Sequence, residues 1–181
     1  MRLILVLPFA LLLSGCLGIE ETEIRVLREQ GEPAVYICEL QNIHSGEKDT
    51  ARIREDFNNL VHWLGDEALA EARDKGMLVK HRDLFIRDNK IFFREVGIVE
   101  NLRNLDIEKS PDGSVIRMKL DHSDDITDTN GHVVKRDGET FVEWPKNATE
   151  LRVKIHDDAK DASASQPIMV QLLNDYLATH Q

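Results

Sequence analysis

Cysteine is nearly absent. Two thiols, Cys16 and Cys38, occur in 181 residues, so no disulfide framework holds this chain and its stability must come from a buried core. Positive charge is scarce as well. Lys and Arg number 23 against 33 Asp and Glu, a net charge of −10. That balance argues against a nucleic-acid partner, whose phosphates are met by cations, and against electrostatic docking on an anionic lipid surface. No apolar run reaches the roughly 20 residues a membrane-spanning helix requires. The longest, Leu3 to Leu13, carries Pro8 in its middle. Reaction signatures are missing too: there is no HExxH, no G-x-S-x-G, no Gly-rich phosphate loop and no internal repeat. His44-Ser45 alone is no hydrolase motif, and paired carboxylates for glycoside cleavage cannot be recognised without their separation.

What is present begins at the first residues. Arg2 is followed by "LILVLPFALLL" and then by Ser14-Gly15-Cys16, the n-region and h-region of a secretory signal. Leu13-Ser14-Gly15-Cys16 resembles the lipobox of bacterial lipoproteins at all four positions. The resemblance implies that the Cys16 thiol takes a diacylglyceryl group, that cleavage falls before it, and that the new amine is acylated. Several acyl chains then hold the protein to a bilayer, each buried CH₂ adding about 0.8 kcal/mol. The competing reading is a plain secretory signal with an incidental Cys. Leu17, in place of an Asp, favours the outer membrane. Residues 1–15 are thus expected to be signal, 16–23 the lipidated Cys and a short tether, and 24–181 a single domain. Losing Arg2 with the signal makes the net charge −11.

The remainder reads as strands in hairpins with helices inserted. "EIRVL" and "AVYICELQNI" read as strands around Gly31 and Pro33. Ile53, Phe57, Leu60, Val61 and Leu64 recur at helical spacing, with Asp49 or Thr50 as cap and Gly65 as stop. A shorter helix is expected from Asp66 to Lys75, ended by Gly76. Hairpins are expected at Asp88-Asn89, at Pro111-Asp112-Gly113 and at Asp137-Gly138. "ELRVKIH" is a last strand, "DDAKDASASQ" a solvated linker, and Pro167 opens a C-terminal helix with Ile168, Met169, Leu172, Leu173, Tyr176 and Leu177 on its apolar face. The fold class is α+β: an antiparallel sheet built from hairpins, with an early amphipathic helix and a C-terminal helix.

Candidate sites are few. "DHSDDITDTNGH" packs carboxylates and His closely enough to invite a hard cation. Its candidate ligands are Asp121, Asp124, Asp125, Asp128 and His132. Aligned on an EF-hand loop, however, Ile126 falls where the first Asp is required and Asp137 where the bidentate Glu should be. The favoured reading is an acidic surface loop with Asn130-Gly131 as a tight hairpin turn. Cys38, inside "AVYICEL", reads as a small buried hydrophobe rather than a nucleophile. His62 reads as a helix-edge residue and His156-Asp157-Asp158 as a polar strand exit. Trp144 reads as packing under a sheet, against the alternative of an exposed contact.

The expected function is a membrane-anchored envelope lipoprotein, outer-membrane and periplasm-facing, whose domain binds an envelope protein or component. Catalysis is not evident and no cofactor is expected. Its partners are the bilayer, through acylated Cys16, and an envelope protein; nucleic acid is not among them. The alternatives are a metal-assisted hydrolase using the acidic segment, and a carrier of lipid or lipoprotein. A carrier needs an apolar cavity that 6% aromatics supply poorly.

Overall fold

The strand-forming segments pair into two separate antiparallel sheets. A computed structural model describes residues 17–29, 32–121, 125–157 and 164–180. Along the chain these are β1 (Leu17–Leu27), β2 (Ala34–Ser45), α1 (Thr50–His62), α2 (Asp66–Asp74), β3 (Met77–Arg87), β4 (Lys90–Val99) and a 3-10 turn (Leu102–Leu105). There follow β5 (Ile107–Lys109), β6 (Val115–Leu120), β7 (Asp125–Thr129), β8 (His132–Arg136), β9 (Glu139–Pro145), β10 (Glu150–His156) and α3 (Gln166–Thr179). The six-stranded sheet runs β3-β4-β2-β1-β10-β7, the four-stranded one β5-β6-β9-β8. The class is α+β, with the early and C-terminal helices the periodicity predicts.

Period-two alternation decides which face is buried. On β2, Ala34, Tyr36, Cys38 and Leu40 point inward, and on β10 so do Leu151, Val153 and Ile155. Ile53, Phe57 and Leu60 of α1 and Met169, Val170 and Leu173 of α3 cover the sheet. The two helices touch each other through Phe57 and Tyr176, edge to face with centroids 6.4 Å apart. Ile116, Met118, Val142 and Trp144 of the smaller sheet belong to the same core cluster. Asp49 caps α1, accepting from the Ala51 and Arg52 amides at 3.0 and 3.1 Å. The Asp88-Asn89 turn has φ of 51° and 59° at its two residues, the mirror-image turn that matches strand twist.

One polar group is built into this apolar face. Glu95 of β4 is fully buried and Arg82 of β3 nearly so, joined Nε to Oε2 at 2.5 Å. The Tyr36 hydroxyl donates to Glu95 Oε1 at 2.7 Å, and Arg82 Nη1 donates to the Trp63 carbonyl at 2.8 Å. Gly97, opposite Tyr36 in the register, leaves room for that phenol. A Cβ there would lie 2.6 Å from its hydroxyl oxygen.

Two sequence expectations require correction. Residues 17–23, expected as tether, are strand: β1 already pairs with β2 at Leu17 and with β10 from Glu21. Leu17 and Ile19 pack against the core, so the segment has both ladder partners and apolar surface to bury. Asn130-Gly131 is not a hairpin turn. β7 lies on β10 in one sheet and β8 on β9 in the other, so this dipeptide carries the chain between sheets. Alternation and turn residues could not distinguish the two, because both begin with a strand, Asn-Gly and a strand. Most of the expected linker, residues 158–163, lies outside the described residues.

Candidate functional site

The acidic segment is dispersed by the crossing between sheets. Asp125 and Asp128 stand exposed on β7, while His132 opens β8 opposite Glu143 in the other sheet. Asp128 Oδ2 already accepts from Arg152 Nη1 at 2.5 Å. Asp121 follows β6, half-buried; Asp124 lies outside the described residues, as does Cys16. Among the described residues no group of three or more His, Cys, Asp or Glu is placed to hold a metal ion. His156 sits opposite Asp125 in the register, at the end of β10.

Of the other sequence candidates, His62 stands exposed at the end of α1, while Cys38, Trp144 and His44 are inside. Cys38 is fully buried; burial pushes its thiol well above the usual range, and the neighbouring carboxylates Glu95 and Glu39 push the same way. A thiol so held is not a nucleophile at neutral pH. Trp144 is 1% exposed and anchors the smaller sheet. His44 is equally buried, its Nδ1 3.0 Å from the Asn42 carbonyl, with its ring against Gly18. Ser45 Oγ donates to Asp56 at 2.5 Å, and Ser165 Oγ to the Ser45 carbonyl at 2.5 Å. This chain of bonds fastens the end of β2 to α1 and to the start of α3.

Two surface features stand out instead. The first lies on the outer face of the six-stranded sheet. Leu27 faces Val35, Val35 faces Ile98, and Ile98 faces Leu78, a row across β1, β2, β4 and β3. Leu27, Val35 and Leu78 are 39%, 36% and 45% exposed. Ile37 and Val96, half-buried, continue it one step inward. These residues form a contiguous apolar row rather than scattered single hydrophobes. The rim is charged: Arg25 pairs with Glu150 at 3.0 Å, and Glu39 binds Arg94 at 2.7 Å. Leu27 lies ten residues along β1 from Leu17, roughly 33 Å at strand rise.

The second is a pair of adjoining clefts past the far end of β1, of about 420 and 370 Å³, both lined by Arg28 and Lys109. Lys146, Asn147 and Thr149 close the larger, Asn101 and Arg103 the smaller. Neither feature was visible in the sequence. The row is assembled by cross-strand register, and the cations come from three separate stretches of the chain, around residues 28, 103–109 and 146. Comparison with protein-family models, with curated proteins and with solved structures finds no match to this chain.

Proposed function

We propose that this chain is a lipid-anchored lipoprotein of a bacterial cell envelope, attached through acylated Cys16 to the outer membrane and facing the periplasm. Its α+β domain is a binding module for another envelope protein. The observation that carries the reading is Leu13-Ser14-Gly15-Cys16 at the end of a short apolar run. The strand order supports it: β1 starts one residue after Cys16, so an anchor there would attach to the sheet without a flexible stalk. The apolar row supports a protein partner. It lies roughly 33 Å along β1 from the anchored end, away from where acyl chains would enter a bilayer, and the charged rim suits a surface that must also meet water.

The test has two parts, both on the full chain in bacterial cells. Mass spectrometry of the N-terminal peptide should find Cys16 acylated, and fractionation should place the protein in the outer membrane. A photocrosslinking residue at Val35 should then capture one protein that is not captured from Arg54, exposed on α1. Cys16→Ala should abolish that capture. An unmodified Cys16 sinks the anchor; equal capture from both positions, or none, sinks the binding face.

A further inference from the structure

Acids outnumber cations in this chain, 33 to 23. Along the sheets several cations are neutralised: Arg25, Arg87, Lys90, Arg94, Arg117 and Lys154 each meet a carboxylate. Past the end of β1 four cations gather around two clefts. Arg28, Arg103, Lys109 and Lys146 line the two adjoining clefts, and none of the four forms an ion pair among the described residues.

The four arrive from separate places: the exit of β1, the 3-10 turn, the end of β5 and the connection between β9 and β10. Arg28 is pre-positioned. Its amide donates to the Thr149 carbonyl at 2.8 Å, and its Nη1 to the Ala148 and Lys146 carbonyls at 3.2 and 3.5 Å. Those bonds hold the β9–β10 connection against β1 and leave the rest of the guanidinium fork uncommitted. Three acids border the clefts, Glu29, Glu100 and Glu108. Glu108 is already bound by Arg117 at 2.5 Å, and Glu29 stands exposed at the rim. Cations therefore prevail in the larger cleft, where Arg28, Lys109 and Lys146 face one acid.

We propose that this cleft binds a small ligand through an oxyanion, a carboxylate or phosphate, held between Lys109 and Lys146 with Arg28 as the fixed corner. Its volume of about 420 Å³ fits a molecule of one or two rings. Asn147 and Thr149 beside the cations suit hydroxyl groups on that ligand. Among the described residues, no aromatic or large aliphatic side chain lines the larger cleft to anchor a peptide, which favours a small polar ligand. The site does not use the apolar row and does not depend on the anchor.

The experiment is calorimetric titration of the full chain in detergent micelles with inorganic phosphate, glucose 6-phosphate and glucuronate. At least one organic probe should bind more tightly than phosphate, and binding should weaken several-fold as salt rises past about 0.15 M, where screening shortens to about 8 Å. Lys109→Ala with Lys146→Ala should cost tenfold or more in affinity without changing the melting temperature, since both side chains are exposed and make no bond among the described residues. Lys48→Ala with Lys135→Ala, exposed cations elsewhere, should cost nothing. Cys16→Ala should bind as wild type does, which separates this site from the anchor. Phosphate alone binding overturns the organic ligand. Binding indifferent to the Lys109 and Lys146 changes, or no binding at about 10 mM of any probe, overturns the site. A hexaglutamate peptide or phosphatidylglycerol vesicles binding through these lysines, with every small probe inert, reassigns the cleft to a macromolecule.

Discussion

Asn130 Oδ1 accepts a hydrogen bond from Trp144 Nε1 at 2.7 Å, tying the chain crossing between the two sheets to the largest buried side chain of the smaller one. The same oxygen accepts from the Arg152 amide at 2.8 Å, and Nδ2 donates to the Glu150 carbonyl at 3.1 Å. One amide thus joins β9 to β10. Asn130→Ala should destabilise by about 2–3 kcal/mol, because a buried indole N–H is left without its acceptor. Urea unfolding followed by tryptophan fluorescence measures it. Gly131→Ala should cost about 1–3 kcal/mol by overpacking: its Cβ would come 2.7 Å from Trp144 Nε1 and 2.9 Å from the Glu143 carbonyl oxygen. A loss under about 0.5 kcal/mol in both, the range of neutral surface changes, would contradict the seam described.

The buried pair Arg82 and Glu95 should be asymmetric in its response. Glu95→Leu alone leaves a guanidinium in the core, and about 3–5 kcal/mol should be lost. Arg82→Met with Glu95→Leu and Tyr36→Phe removes every charge together and should cost less than Glu95→Leu does. Denaturant midpoints of the single and combined variants decide this. If the combined variant is the weaker, the pair contributes more than it costs to desolvate.

Stability should fall in alkali. Burial holds the Cys38 thiol above its ordinary value of 9.0 and the Tyr36 phenol above 10.0, with Glu95 adding to both. Above about pH 9 the unfolded chain releases the Cys38 proton while the folded one keeps it, and above about pH 10 the same holds for Tyr36. The unfolded state then binds fewer protons, so unfolding free energy declines by up to about 1.4 kcal/mol per pH unit for each group. Cys38→Ala should flatten the decline from about pH 9, Tyr36→Phe the part above about pH 10. Urea midpoints across that range read the slopes; unchanged slopes in both variants would remove these two groups as its cause.

Calcium, zinc and manganese should leave the melting temperature of the full chain unchanged, because Asp128 is engaged by Arg152 and His132 belongs to the other sheet. A saturable rise in melting temperature, lost in Asp125→Asn with Asp128→Asn, would restore the acidic segment as a cation site.

Helices, hairpins and the buried faces were legible because each rests on a local period or a local turn. Ile53, Phe57 and Leu60 announce α1 by spacing, and Asp88-Asn89 announces its turn by residue type. What escaped depends on which strands become neighbours. "DITDT" has one large apolar side chain, so β7 carries no alternation to recognise, and its place beside β10 comes from pairing. Residues 17–23 look polar because Glu20, Glu21 and Glu23 dominate them, yet β2 and β10 supply backbone partners that composition cannot show. The apolar row and the cation cleft are products of register and of chain reversal, each joining residues tens of positions apart.

The place of β1 has a mechanical consequence. It is an interior strand, hydrogen-bonded to β2 on one side and β10 on the other. A pull applied at its first residue acts along the strand, perpendicular to those ladder bonds. The bonds are then sheared together rather than opened one at a time from an end. Had the chain entered the sheet at an edge strand such as β7, a sideways tug could peel it away bond by bond. Tension at this end of the strand instead meets the resistance of two whole ladders, so the domain should stay folded under forces that would unzip an edge.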